Sequence, residues 1–274
     1  SLRTTEQYYA AASLVSRDVE CFRRWCCYSS WASAVKLRMR QRDIMRKTLV
    51  LVPTSFERRN LDSLLQPAIQ QCGGTLRLCG FGPVAAAART SQLIAADRPE
   101  HVLLVGIAGA IGNCLTVGTA WSFDEVVCYG VGVGTGDAFT VAGELGWHQW
   151  AGEDDSLKPP ATAESDLLPL ATCPAKPEVR QQNPPLQLLT CCAGSNCQND
   201  VELRSRCFPK AIAEDMEGYG VALACSLANV PLTIVRGISN VAGDRDKSRW
   251  QVERALDAAA DLAVRLIADS SLPS

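Results

Sequence analysis

From residue 47 onward the chain repeats one pattern: a short aliphatic or β-branched run, a proline or glycine turn, then a helix-like stretch. Thr48–Val52 ends at Pro53-Thr54-Ser55, Leu76–Cys79 at Gly80-Phe81-Gly82-Pro83, and His101–Val105 at Gly106-Ile107-Ala108-Gly109. Between the first two lies an amphipathic stretch through Phe56, Leu61, Leu64 and Leu65, and between the second and third a helix of small residues over Ala85–Ala96. Strands that are apolar along their whole length and separated by helices require a largely parallel sheet covered on both faces. The expected fold class is therefore α/β, a three-layer α/β/α sandwich around a twisted, mostly parallel, mixed sheet.

The rest of the chain extends the pattern. Residues 120–128 read as a further strand, followed by Gly130, Gly132, Gly134 and Gly136. Seven of the 14 prolines fall between Pro159 and Pro185, which predicts a surface insertion over about 152–185. Order is expected again at Leu186–Cys191, Ala211–Ala213 and Val230–Ile238. Val252, Leu256, Ala259, Ala263, Leu266 and Ile267 recur at the spacing of one face of a final helix. The domain is expected to span 47–269, with a short tail over 270–274.

Residues 1–46 have a different texture. Residues 1–47 carry ten Lys/Arg against four Asp/Glu, while the whole chain has a net charge of -2. Three readings of this stretch are open: an extension outside the folded domain, a natural start at Met45, or a basic arm that meets membrane or RNA. For the chain as a whole, neither nucleic acid nor membrane is an expected partner, since its charge is near neutral and no apolar run approaches the roughly 20 residues of a membrane span.

Thirteen cysteines occur without a CxxC pair. Several sit within apolar runs (Cys128, Cys225), where a thiol behaves as a small buried hydrophobe. This favours a reduced, cytoplasmic protein over a disulfide scaffold. The two histidines, His101 and His148, have no partner at metal-ligand spacing, so no metal site is expected.

Three segments carry candidate chemistry. Gly80-x-Gly82 follows a strand, but Ala85 stands where a dinucleotide fingerprint has its third glycine, so a tight turn or close backbone approach is the better reading. Ala213–Gly220 holds three carboxylates in four residues, Glu214, Asp215 and Glu217. They are either a solvated helix start or buried groups that have found partners. Val235–Asp246 places Arg236, Ser239 and Asn240 at the end of an apolar strand, where ligands bind in open α/β sheets, followed by a charged Gly243–Asp246 turn.

Gly80–Ala87, Val105–Ala110, Phe208–Glu217 and Val235–Asp246 with Trp250, in that order, resemble the purine nucleoside phosphorylase and nucleosidase superfamily. Within it the chain resembles the methylthioadenosine/S-adenosylhomocysteine nucleosidases and, most of all, the futalosine hydrolases of menaquinone biosynthesis. The resemblance covers about Lys47 to Ala268. It implies a nucleoside phosphorylase-like fold, a homodimer, water as nucleophile, and no metal or organic cofactor.

The resemblance also assigns roles. Glu217 holds the ribose hydroxyls with Met216 against the sugar, Ala108 and Gly109 line the base through backbone, and Ser239 and Arg236 belong to the binding site. Glu57, in the loop after the first strand, positions and deprotonates water. The adenine-specific relatives carry aspartate where this chain has Asn240. An amide can donate to a 6-oxo group and accept from a ring N–H, which implies hypoxanthine as leaving base, with Asp244 or Arg236 in support. The relatives' stacking aromatic falls near Ser195–Cys197, where none stands. Three alternatives remain: a methylthioadenosine/S-adenosylhomocysteine-type nucleosidase, a phosphorylase drawing phosphate to Arg58, Arg59 or Arg89, and a nucleoside-binding protein without catalysis.

Overall fold

The computed structural model describes residues 47–149, 167–170 and 184–270. The basic extension over 1–46, most of the 152–185 insertion and the tail after Ser270 lie outside the described residues.

The strands are β1 (Thr48–Val52), β2 (Thr75–Leu78), β3 (His101–Ala110), β4 (Ala120–Ser122), β5 (Glu125–Tyr129), β6 (Gly132–Val133), β7 (Thr140–Val141), β8 (Leu168–Pro169), β9 (Gln187–Cys191), β10 (Ala211–Asp215) and β11 (Leu232–Val241). The helices are α1 (Ser55–Gln71), α2 (Pro83–Asp97), α3 (Gln198–Cys207), α4 (Gly218–Leu227) and α5 (Val252–Ser270).

Nine strands form one sheet whose main path is β2-β1-β3-β10-β9-β5-β8, with β11 against β3 and β4 against β11. The pairs β1/β2, β1/β3, β3/β11, β9/β10 and β5/β9 are parallel, whereas β3/β10, β4/β11 and β5/β8 are antiparallel. The long β3 organises this arrangement. Along one edge it pairs with β11 over Val102–Ala110, and along the other it takes β1 at its start and β10 at Gly109 and Ala110.

Alternation along β1 builds the layers. Val50 and Val52 pack with Leu61, Leu65, Ile69 of α1 and with Leu256, Ala259 and Ala263 of α5. Leu49 and Leu51 point to the opposite face, into the core that holds Ala86 and Leu93 of α2 and Tyr219 and Ala222 of α4. Each fully buried leucine or isoleucine contributes about 1.5–3 kcal/mol relative to exposure. The three-layer expectation is met.

Three local expectations are corrected. His101–Val105 does not stop at Gly106; β3 runs on through Gly109 to Ala110, because β11 pairs with it throughout. The single strand expected over 120–128 is two, β4 and β5, which pair with different neighbours. Leu168–Pro169, inside the proline-rich insertion, is an edge strand pairing with β5, where proline's missing donor does no harm.

Candidate active site

A cavity of about 590 Å³ opens where the carboxyl ends of β1, β3, β9, β10 and β11 converge. Glu57, Ala108, Gly109, Met216, Glu217, Ser239 and Asn240 all line it. Residues far apart in sequence are thus brought to one wall system, as the sequence reading requires.

Glu57 sits in the first turn of α1 rather than in a loop. Thr54 is the N-cap, and the two residues form a reciprocal capping box. Glu57 N donates to Thr54 Oγ1 at 3.2 Å, while Thr54 N (3.1 Å) and Oγ1 (2.6 Å) donate to Glu57 Oε2. Its Oε1 accepts from Ile107 N at 3.2 Å. The cap fixes the side chain, and the β3 backbone holds its other oxygen towards the cavity.

All three carboxylates of the 214–217 cluster are buried, with exposures of 8% (Glu214), 5% (Asp215) and 5% (Glu217), so the solvated-helix alternative fails. Asp215 Oδ1 accepts from Thr190 Oγ1 at 2.6 Å, and Oδ2 accepts from Gly218 N at 2.8 Å and Arg236 Nε at 3.0 Å. Glu217 Oε1 accepts from Gly82 N at 3.1 Å, and Oε2 lies 3.5 Å from Arg236 Nη2. Gly82 has φ +85°, a conformation glycine adopts without strain, and this turns its N–H to the carboxylate. Burial pushes the Glu217 carboxyl up to about 7, against the pull of the Arg236 guanidinium.

Arg236 is fully buried and does not line the cavity. The binding role expected of it is corrected: it stands behind the wall, paired with Asp215 and Glu217. Gly106 makes room for it. A Cβ there would collide with Arg236 Nη1 and lie 2.7 Å from Glu57 Oε1.

Ser239 is the extra residue of a bulge in β11, between Ile238 and Asn240. Bulges re-aim side chains. The Ser239 hydroxyl donates to Asn240 Oδ1 at 2.7 Å and lies 3.3 Å from Ala108 O, and Asn240 Nδ2 donates to Val241 O at 2.8 Å. The amide plane is thereby oriented, with one N–H and one oxygen lone pair left for a ligand.

Asp244 does not support Asn240. It lines a shallower neighbouring depression and takes Arg249 through both oxygens, at 2.7 and 2.6 Å, and this guanidinium holds its carboxyl below the usual range. Its backbone oxygen accepts from Trp250 Nε1 at 3.0 Å, which orients that ring on the cavity wall. The aromatic surface that sequence reasoning could not find near Ser195–Cys197 is supplied elsewhere, by Phe56, Phe81 and Trp250. Arg58, Arg59 and Arg89 are exposed, and none lines the cavity. Among the described residues no group of three metal-ligating side chains occurs, no helix is long and apolar enough to cross a membrane, and all nine cysteines are free.

Comparison with known proteins identifies the family. A profile of the phosphorylase superfamily matches residues 66–269. Futalosine hydrolase from Streptomyces coelicolor is 32% identical over 199 residues, covering 71% of this chain and 78% of that protein. The 5'-methylthioadenosine/S-adenosylhomocysteine nucleosidase of Geobacillus sp. is 31% identical, covering 69% and 75%. In fold, the chain is similar to the Neisseria meningitidis 5'-methylthioadenosine/S-adenosylhomocysteine nucleosidase solved with methylthio-immucillin-A, with a TM-score of 0.61, 19% identity, and coverage of 81% of this chain and 98% of that one. The chain belongs to the phosphorylase superfamily and stands within it among the nucleosidases.

Proposed function

We propose that this nucleosidase hydrolyses the N-glycosidic bond of futalosine and releases hypoxanthine, as a step of menaquinone biosynthesis. The observation that carries the reading is the pairing, on one cavity, of a carboxylate-rich wall with an oriented asparagine amide. Glu57, Asp215 and Glu217 line the cavity, and one guanidinium, Arg236, stands behind them. This surplus of negative charge suits a sugar that becomes oxocarbenium-like as its bond to the base lengthens.

In the proposed reaction water attacks C1' of the ribose while the C1'–N bond breaks. The bonding pair leaves with the base nitrogen, the proton lost by water passes to Glu57, and the base takes a proton from solvent to leave as neutral hypoxanthine. Glu217 accepts hydrogen bonds from the ribose hydroxyls with Met216 packed beside it. Asn240 donates to the 6-oxo group and accepts from a ring N–H, stabilising the departing base. A donor engaging mainly the developing anion contributes about 3–4 kcal/mol, or roughly 10²–10³ in rate.

The 32% identity to a futalosine hydrolase favours futalosine over methylthioadenosine, whose nucleosidases match at 31%. That margin is narrow, so the weight falls on Asn240. A phosphorylase reading has less support, because the sole arginine on the cavity wall among the described residues is Arg245, which lies 5.3 Å over the Trp250 ring. The proposal includes a nucleosidase domain over 47–269, a cytoplasmic setting and a homodimer, the last read out by light scattering.

The deciding assay offers futalosine, methylthioadenosine and inosine side by side, with and without phosphate, and follows the free base. Futalosine turnover independent of phosphate is expected. Preference for methylthioadenosine overturns the use made of Asn240, and strict phosphate dependence overturns hydrolysis. Glu57→Gln keeps an acceptor for the Thr54 cap but turns its amide nitrogen on Ile107 N and loses the base, so kcat should fall about 10²–10⁴-fold with a modest fall in Tm. Unchanged turnover in that variant would refute the role of Glu57.

A further inference from the structure

Glu214 is the carboxylate of the 214–217 cluster that the reaction leaves unused, although it lines the cavity. Both its oxygens are taken. Oε1 accepts from Ser195 N at 2.9 Å, and Oε2 accepts from Ser195 Oγ at 2.6 Å and from Arg204 Nη1 at 2.7 Å. The Cys191 thiol lies 3.9 Å from Oε2. Arg204 reaches the same stretch of chain from α3: its Nη2 donates to Ala193 O at 2.8 Å, and its guanidinium lies 5.4 Å over the Tyr129 ring of β5. Glu214 and Arg204 therefore grip the 193–195 backbone at both a carbonyl and an N–H.

What they grip is the part of the wall with least structure of its own. Residues 192–196 link β9 to α3 outside helix and strand, and all five line the cavity. Cys192, Ala193, Gly194 and Asn196 are exposed, and Ser195 alone is buried, at 2%. No aromatic stands on the segment, so a base lying against it meets backbone and small side chains. Backbone can discriminate among bases only where its groups are held to a fraction of an ångström. A buried ion pair is weak evidence for stability, because desolvation offsets its Coulomb gain, and its contribution here is positional.

We propose that Glu214 and Arg204 are positioning residues that fix residues 192–196 as a wall for the base, and thereby set discrimination between 6-oxo and 6-amino purines. The proposal rests on the nucleosidase reading of the cavity given above. Neither residue touches the reacting atoms.

The test uses the full chain and free hypoxanthine and adenine as probes. Calorimetric Kd values for both bases are measured beside KM, kcat and Tm for Glu214→Gln, Arg204→Lys, Arg204→Met and Ser195→Ala. Glu214→Gln and Arg204→Met should raise Kd for hypoxanthine and KM for futalosine about 10-fold, with kcat within about 3-fold. The hypoxanthine-to-adenine preference should shrink towards unity. Arg204→Lys keeps the charge and loses the fork to Ala193 O, so it should fall between wild type and Arg204→Met. Ser195→Ala removes one hydroxyl and keeps the fold within reach even where a charge change does not, and it should reproduce about a 3-fold shift. An unchanged preference in folded variants, or equal losses for both bases that track Tm, overturns the positioning role. A wild-type chain that cleaves no nucleoside overturns the reading beneath it instead, so the two failures are distinguishable.

Discussion

Two buried arginines serve this cavity, and they are partnered differently. Arg236 is wholly enclosed and faces Asp215 and Glu217, with Glu57 close enough to be felt electrostatically. Arg204 is 6% exposed, meets one carboxylate, and also donates to a hydroxyl and a backbone carbonyl. The first neutralises acids of the cavity wall. The second holds chain in place. Charge density is the contribution of one and shape the contribution of the other.

Removing each arginine is the strongest way to break that comparison. Arg236→Met leaves two carboxylates buried without their cation and should cost about 3–5 kcal/mol in urea unfolding. After Arg204→Met, Glu214 still accepts from Ser195 N and Oγ, so about 1–3 kcal/mol is expected. Equal losses would mean that the two clusters are not distinct.

The pH dependence sharpens it further. The Glu217 carboxyl is raised in the folded state from 4.5 to about 7. A raised folded value contributes stability that is present in full below the unfolded value and is lost as pH rises through about 7. In the proposed reaction the ionised form accepts the ribose hydroxyls, so kcat/KM should fall about 10-fold per pH unit below 7, and this limb should vanish in Glu217→Gln. Arg204→Met should leave the limb where it is, and a shifted limb in that variant would join the clusters electrostatically.

Smaller effects follow at the margins of the two walls. Thr54→Ala removes the cap that holds Glu57, with a stability loss of about 1 kcal/mol by thermal unfolding and a larger fractional loss of kcat. A loss confined to stability would show that Glu57 needs no such support. On the gripped segment, hydrogen bonding with the Cys128 thiol brings the Cys192 thiol down to about 6, whereas burial pushes Cys79 and Cys225 up to about 12. Iodoacetamide at pH 7 should therefore label Cys192 well before Cys79 or Cys225, without unfolding the chain. Labelling of Cys225 first, read by peptide mass mapping, would contradict that order.

Much of this was readable in the residues. β1 is bounded as its β-branched run predicts, and the face of α5 from Leu256 to Ile267 is buried as its spacing requires. Strand ends near glycine were less readable, because edge pairing decides whether a strand continues, and β3 continues past Gly106. The helical position of Glu57 was available in the Thr54-x-x-Glu57 pattern, which is a capping-box signature. The Arg204–Glu214 pair had no such signal. Arg204 lies in a polar helix beside Arg206 and reads as a solvated face until the fold carries it to β10. The Gly243–Asp246 turn misled in the opposite direction: Asp244 and Asp246 pair with Arg249 near the surface, and the Asp244 carbonyl orients Trp250.

The glycines on and behind this cavity bear on how its substrate range could be altered. At Gly194 an added Cβ meets nothing within 4 Å, so saturation libraries at that codon can sample side chains that reach into the cavity. At Gly106 the same atom would strike the guanidinium and the glutamate together. Selection for new nucleosides will find variety at the first position and only the parental residue at the second.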